Sequence, residues 1–436
     1  MRARVTFAVA LCLLAVGAAT FAVAFRASLG LLYRVAYGAD NVVDAITNLN
    51  PWLRLLVPIA GASVAGLIAH WRHAPSQGVS NVMEAVALGR VQLSLRTTAS
   101  RVASSWSAIA TGLSIGREGP LIEVGGSLGA ALGHAFATPL DQTRVLVAAG
   151  TAAGFAAAYN TPLAAVLFVI ETIVGIAAPD VLLSVMATTF IATAMTRAIV
   201  GAGPIYGQRT FGLNGYADFF WFATLGLAAA LAAVGFKRLL ELIESAFEGY
   251  PVPQPWRAML GGLVVGAIAI WHPDVAGNGY EPLNAMLNAP MLVRIVAVLA
   301  IAKVIATSAS VGSGIPGGVF TPMLLVGASL GTLWSHLAGA GGNAGSYALV
   351  GMAAATAASI HAPLTATVMI FELSGDYLIV LPLLLVTIVA TTASKGLGSE
   401  SVYEAELRRR GLGWDLTLEG RHIREQEPEH EHEPQK

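Results

Sequence analysis

Arg117 and Glu118 stand side by side in Gly116-Arg-Glu-Gly-Pro120, in a chain of 436 residues of which only 12% are charged and 55% hydrophobic. A soluble chain carries about 25% charged residues. Most of this surface must therefore face lipid, where an ionisable residue marks a functional site by default. The chemistry open to such a stretch is that of a small anion. Helix N-termini carry about half a positive charge and several free N–H donors. Pro120, Pro162, Pro322 and Pro363 each open an apolar run, where a helix best tolerates the missing donor. Just upstream, Arg117–Gly119 and Gly318–Thr321 are expected to leave backbone N–H groups unpaired, and glycine lets backbone approach an ion closely. Two such loops aimed at one point would hold an anion without a full positive charge, weakly enough for it to leave. Glu118 could sit there in place of the ion and vacate the seat on protonation, acting as gate and proton carrier. The plainer role for it is a local pair with Arg117, or a helix cap.

The elements that must position these residues are helices in a membrane. Apolar helical segments recur at 52–70, 103–113, 121–137, 145–158, 163–178, 181–200, 216–235, 258–271, 291–309, 322–338, 346–359, 363–374 and 377–394. Many are too short for a hydrocarbon core of about 30 Å, which is tolerated only where helix ends are buried in protein or line a polar cavity. That is the pattern of transporters and channels with broken helices. The first run, Val5 to Phe25, reads as a spanning helix rather than a cleaved signal, with Arg2 and Arg4 on the cytoplasmic side. Cys12, the single cysteine, excludes an intrachain disulfide framework and reads as a small core residue.

The chain repeats itself. Residues 150–171 and 351–372 align without a gap at an offset of 201, with nine of 22 positions identical, among them Pro162/Pro363, Leu163/Leu364 and Glu171/Glu372. Residues 116–129 match 318–331 at an offset of 202, with seven of 14 identical. The expectation is an all-α polytopic membrane protein: one transmembrane domain over 1–400, built from repeats at about 5–200 and 210–400. Repeated halves with interrupted helices place a site near the midplane where they meet, and the breaks favour an inverted relation. Residues 401–436 are charged and read as the start of a last helix followed by a short, disordered cytoplasmic tail. The arginine run 408–410 argues for the cytoplasmic side, and His422, His430 and His432 carry no metal assignment.

Several classes are excluded. Net charge is −1, which suggests no nucleic-acid partner. No His, Cys or carboxylate spacing points to a metal, no phosphate-binding loop to a nucleotide, and nothing to an enzyme or a cofactor. Lys303 and Arg294 lie in an apolar segment, where they would snorkel or pair with a glutamate.

At Gly116–Pro120 and Gly317–Pro322 ("GGVFTP") the sequence resembles the CLC family of chloride channels and proton/chloride antiporters, and "GNGY" (277–280) with "HAPLTATVMIFELSGDY" (361–377) resembles its bacterial ClcB-type branch. The resemblance covers residues from about 5 to 407. It implies that Glu118 is the external gating glutamate, that the N–H groups of Val319 and Phe320 bind the central anion, and that the Tyr403 hydroxyl donates to the same ion. With Gly119 and Arg117, these make up the expected anion-binding set, completed by Gln77 and Gly78.

Two departures from the family pattern stand out. Where the family carries a Gly-Ser-Gly-Ile-Pro loop, this chain reads "PSQGVSN" (75–81), with Gln77 at the pore-serine position and Ser76 or Ser80 as substitutes if the loop shifts. The literal "GSGIP" at 312–316 lies in the second half, so Ser313 is not the pore serine. Coupled members also carry a second, inner glutamate; here Thr172 holds that position and Glu171 precedes it, as a possible inner proton path or a structural acceptor repeated at Glu372. The resemblance therefore implies chloride transport across a bacterial inner membrane by a multi-pass homodimer with both termini cytoplasmic, most simply as Cl⁻/H⁺ exchange through Glu118. An uncoupled chloride channel, a fluoride exporter and a non-transporting membrane scaffold or receptor are the rivals.

Overall fold

The computed structural model describes residues 2–71, 78–89, 93–175, 178–208, 210–213, 215–248, 252–289, 291–340, 343–417 and 420–425. The first half contains α1 (Arg2–Leu32), α2 (Val42–Thr47), α3 (Pro51–Trp71), α4 (Val79–Leu88), α5 (Leu95–Ala110), α6 (Glu118–Ala135), α7 (Leu140–Tyr159), α8 (Pro162–Phe168) and α9 (Pro179–Val200). The second contains α10 (Ala217–Glu248), α11 (Gln254–Trp271), α12 (Tyr280–Asn288), α13 (Val293–Gly312), α14 (Phe320–Leu337), α15 (Ala344–Ile360), α16 (Pro363–Ser374) and α17 (Val380–Gly396). α18 (Val402–Arg409) follows. Among the described residues, six helices are long and apolar enough to cross a membrane.

The repeat extends well beyond the two aligned stretches. Helices α3 to α9 recur in order as α11 to α17, at close to the sequence offset. At the centre, Gly116 and Gly318 exchange both backbone hydrogen bonds, N to O at 2.7 and 3.0 Å, forming an antiparallel bridge between the halves. Such a reciprocal pair marks a local two-fold axis. Both α7 and α15 end on a left-handed residue without a glycine, Asn160 (φ 57°) and His361 (φ 55°), and turn directly into the proline-started α8 and α16. Asn160 and His361 are repeat mates, so this sharp turn was duplicated with the helices.

The core is made of small residues. α7 and α15 are almost wholly buried and rich in Ala and Gly, and lipid cannot drive helices together hydrophobically, so close packing must. A Cβ on Gly125 would lie 2.0 Å from the Gly150 carbonyl oxygen, and one on Gly331 would lie 2.0 Å from that of Tyr347. The backbones of α6 and α7, and of α14 and α15, touch only because these positions lack a side chain.

Several expectations are corrected. α6 and α14 begin at Glu118 and Phe320, two residues before Pro120 and Pro322. The prolines therefore sit inside the first turn, where N–H groups still lack intrahelical partners, and Glu118 belongs to the helix rather than to the loop before it. α10 runs on to Glu248, well past the expected 235. Helices α4 and α12 escaped the apolar scan because each presents one buried face with polar residues between. Cys12 is exposed on α1, not in the core. The tail is not structureless: Leu412–Thr417 (β1) and Gly420–Glu425 (β2) pair antiparallel, Leu412 opposite Glu425 and Thr417 opposite Gly420. His422 falls on β2, while His430 and His432 lie outside the described residues.

Candidate functional site

Neither α6 nor α14 has a side-chain cap of its own at its first residues, so the donors of both first turns are available to something else. Glu118 takes those of α14. Its Oε1 accepts from the N–H of Phe320 at 3.0 Å and of Thr321 at 3.1 Å, and its Oε2 from the Thr321 hydroxyl at 2.9 Å. The Thr321 hydroxyl also meets the Tyr159 hydroxyl at 2.8 Å. The carboxylate is buried, with 2% of the residue exposed. Its seat exists because Gly116 and Gly318 lack side chains: a Cβ on either would lie 2.1 Å from a Glu118 carboxylate oxygen.

A negatively charged group held by two backbone N–H groups and a hydroxyl occupies a site fit for an anion. Glu118 is not paired with Arg117, which makes no ion pair with it. The geometry removes the local pair and leaves the carboxylate capping the first turn of α14, at donors that an anion could also use.

Glu118 lines a cavity of about 700 Å³ together with Gly78, Gly119, Gly318, Val319 and Tyr403. Gly78, the N-cap of α4, comes within 3.9 Å of the Gly119 Cα, measured from where its Cβ would stand. Tyr403 is 8% exposed, and its hydroxyl is bonded to no described residue. The ring belongs to an aromatic chain: Tyr403 meets Phe168 at 6.2 Å, Phe168 stacks on Phe155 at 4.7 Å, and Phe155 meets Phe320 at 5.8 Å. Tyr403 is held by the short α18, which has a complete capping box between Ser401 and Glu404. The arginine run fastens its far end, with Arg408 on Glu400 at 3.1 Å and Arg410 on Glu84 at 3.1 Å and Glu406 at 2.8 Å.

Gln77 and Ser76 lie outside the described residues. Ser80 is buried and its hydroxyl donates to Glu406 at 2.9 Å, so it is committed to α18. The Ser313 hydroxyl donates to the Ser310 carbonyl at 2.8 Å, closing the end of its own helix. Glu171 lies in a π-helical turn, Val169–Val174, and bonds backbone N–H groups at the start of α16; Thr172 beside it is buried. Lys303 is fully buried and neither snorkels nor forms an ion pair: its Nζ donates to the carbonyls of Val275 and Gly277 at 2.9 and 2.7 Å.

Arg117 faces elsewhere. It lines a second cavity of about 200 Å³ with Arg26, Asn41, Asn278 and Glu281. This cavity lies by the end of α1 and the loop after it, whereas His70, on the wall of the large one, lies at the end of α3. Consecutive spanning helices run in opposite directions, so the two cavities open toward opposite faces. They are separated at the peptide joining Arg117 to Glu118. Tyr159, beside the seat, and Arg26, on the second cavity, are participants to which the sequence does not point, whereas Thr321 falls within the Gly318–Thr321 stretch whose N–H groups are expected to be free.

A buried pocket bounded by two uncapped helix starts, with a carboxylate seated at its end and a second cavity behind it, is a site fit for a small anion within a membrane protein. The chain belongs to the CLC family: the family model described as voltage gated chloride channel matches residues 60–395. Within it the resemblance is to ClcB-type members. A Ralstonia nicotianae protein described as ClcB-like is 40% identical over 399 residues, covering 89% of this chain and 93% of its own. The voltage-gated ClC-type chloride channel ClcB of Citrobacter koseri is 34% identical over 377 residues, covering 83% and 89%. The crystal structure of a slow cyanobacterial Cl⁻/H⁺ antiporter shares the fold, with a TM-score of 0.84 at 22% identity over 93% of this chain and 98% of that one.

Proposed function

We propose that this CLC protein exchanges chloride for protons, with Glu118 as both gate and proton carrier. The observation that carries the reading is the seat of its carboxylate on the Phe320 and Thr321 N–H groups, donors that would otherwise hold the anion. Deprotonated, the side chain competes with chloride for that seat; protonated, it loses the charge that holds it there and gives way. Protonation and anion entry are then two sides of one event. Below the seat, Tyr403 offers a hydroxyl and Gly78, Gly119 and Val319 offer backbone along the cavity wall.

A second reading, an uncoupled chloride channel, is favoured by Thr172. It is buried where a coupled relative would place an inner carboxylate, and Glu171 beside it is committed to the start of α16. The deciding experiment is purified protein in liposomes, with anion efflux and pH recorded together for wild type and Glu118→Gln. Exchange requires wild type to move protons against a chloride gradient, and the glutamine form to pass anions without protons. A wild type that passes chloride with no proton movement makes it a channel, and faster fluoride than chloride efflux makes it a fluoride exporter.

The bacterial relatives and the six spanning helices support a multi-pass inner-membrane protein. Its termini are assigned to the cytoplasm from Arg2, Arg4 and the 408–410 arginines. Each chain contains both halves and hence a complete pathway, so the homodimer pairs two independent pores. Residues 1–400 form the transmembrane domain, and 401–436 begin with the pore-lining start of the last helix and continue as a short cytoplasmic tail.

A further inference from the structure

The smaller cavity has a composition that chloride transport through Glu118 does not require. Arg26 comes from α1 and Arg117 from the start of α6, helices far apart in sequence, yet both guanidiniums line one space of about 200 Å³. Both residues are half-buried, and neither makes a hydrogen bond or an ion pair within 4 Å among the described residues. Two neighbouring like charges, partly removed from water, are unfavourable unless something neutralises them.

The carboxylates on the wall offset only part of this charge. Asp40 is engaged by Arg34 at 3.2 Å. Glu281 is the other acid, and one of its carboxylate oxygens is buried without a hydrogen-bond partner. That carboxylate interacts electrostatically with Arg117 and, less strongly, with Lys303. One acid, Glu281, is thus set against three cations, Arg26, Arg117 and Lys303, while Asp40 is held by Arg34, so the cavity keeps an excess of positive charge. Asn41 and Asn278 complete the polar wall.

We infer that this cavity binds a small oxyanion of the sulfate or hydrogen phosphate class, held between Arg26 and Arg117, and that its occupancy slows anion passage at the adjoining Glu118. The planar guanidinium fork matches two oxygens of such an ion, which a spherical halide cannot offer. An excess of positive charge favours a multiply charged anion over a halide, and the cavity has room for one with water. An ion docked there lies one residue from the Glu118 backbone and places negative charge in the path of a halide approaching from that side.

The test uses sulfate as the probe and the full-length protein. Calorimetric titration in detergent should show saturable sulfate binding by wild type, weakened about tenfold or more in Arg26→Gln and less in Arg26→Lys, which keeps the charge but loses the fork. Asn278→Asp keeps the acceptor that bonds the Tyr280 N–H while adding a negative charge to the wall. It should weaken sulfate about fivefold or more, so the inference stays falsifiable if Arg26→Gln does not fold. In liposomes at constant ionic strength, replacing gluconate by sulfate on both faces should slow wild-type chloride efflux about threefold and leave Arg26→Gln unaffected. No sulfate binding by wild type, or equal binding by wild type and both variants, overturns the inference. So does equal inhibition of efflux in wild type and Arg26→Gln. Calorimetry reads the site without transport, so a failure of chloride/proton exchange would not be mistaken for a failure here.

Discussion

Glu171 and Glu372 each cap a helix of the opposite half. The Glu171 carboxylate accepts from the N–H groups of Leu364 and Thr365 at 3.1 and 2.6 Å, and Glu372 accepts from those of Leu163 and Ala164 at 3.1 and 2.8 Å. Every partner is the repeat mate of its counterpart, so the two contacts are one interaction copied by the local two-fold axis. Proline at the first position of α8 and α16 leaves the next N–H groups exposed, and the acid from across the axis fills them.

That exchange predicts a structural role. Glu171→Ala and Glu372→Ala should each destabilise the protein by about 1–2 kcal/mol, read as a lower unfolding temperature in detergent. Chloride efflux per folded molecule should be unchanged in both. Proton movement lost in Glu171→Gln, with the unfolding temperature intact, would instead put Glu171 on the proton route.

The seat itself can be filled without touching the acid. A methyl group at position 318 would lie 2.1 Å from Glu118 Oε1, in the space that carboxylate and anion share. Gly318→Ala should therefore cut both anion and proton fluxes, about tenfold or more. This differs from Glu118→Gln, where anions continue to pass. Parallel flux assays on the two variants separate a blocked seat from a gate that has lost its charge.

Tyr403 supplies a third test. Its hydroxyl has no partner among the described residues, so Tyr403→Phe should leave the unfolding temperature unchanged. Halide binding, measured by calorimetry, should weaken by about tenfold, the worth of one hydrogen bond to a charged group. Unchanged binding would mean that the hydroxyl does not face the ion.

Away from the pathway, Arg101 on α5 pairs with Glu123 on α6, both buried, and Thr98 donates to the same carboxylate at 3.3 Å. Removing one member leaves an isolated charge, so Arg101→Ala should cost about 3–5 kcal/mol, while Arg101→Met with Glu123→Met should recover most of it. Thermal unfolding of the single and double variants decides this.

The site was legible where chemistry left a pattern of residue types. Glu118 between glycines, the proline-started helices and the internal repeat pointed to two loops meeting at one point, and the structure joins them at Gly116 and Gly318. What stayed hidden depended on where side chains point. Nothing in the sequence separates Arg117 from its neighbour Glu118, yet α6 turns one toward each cavity. Arg26 reads as an incidental charge near the end of a spanning helix until α1 packs beside α6. The α4 and α12 helices were invisible for another reason: their polar positions face cavities and loops inside the protein rather than lipid, so no apolar run marks them.

The thinness of the wall between Arg117 and Glu118 has an electrical consequence. Aqueous vestibules conduct ions freely, so the transmembrane potential drops mainly across the dry layer that divides them. A carboxylate that swings only a few ångströms through this layer crosses a large share of the voltage, against a full-span value of about 2.3 kcal/mol per elementary charge per 100 mV. On the proposed role of Glu118, transport should thus respond to membrane polarisation through that carboxylate.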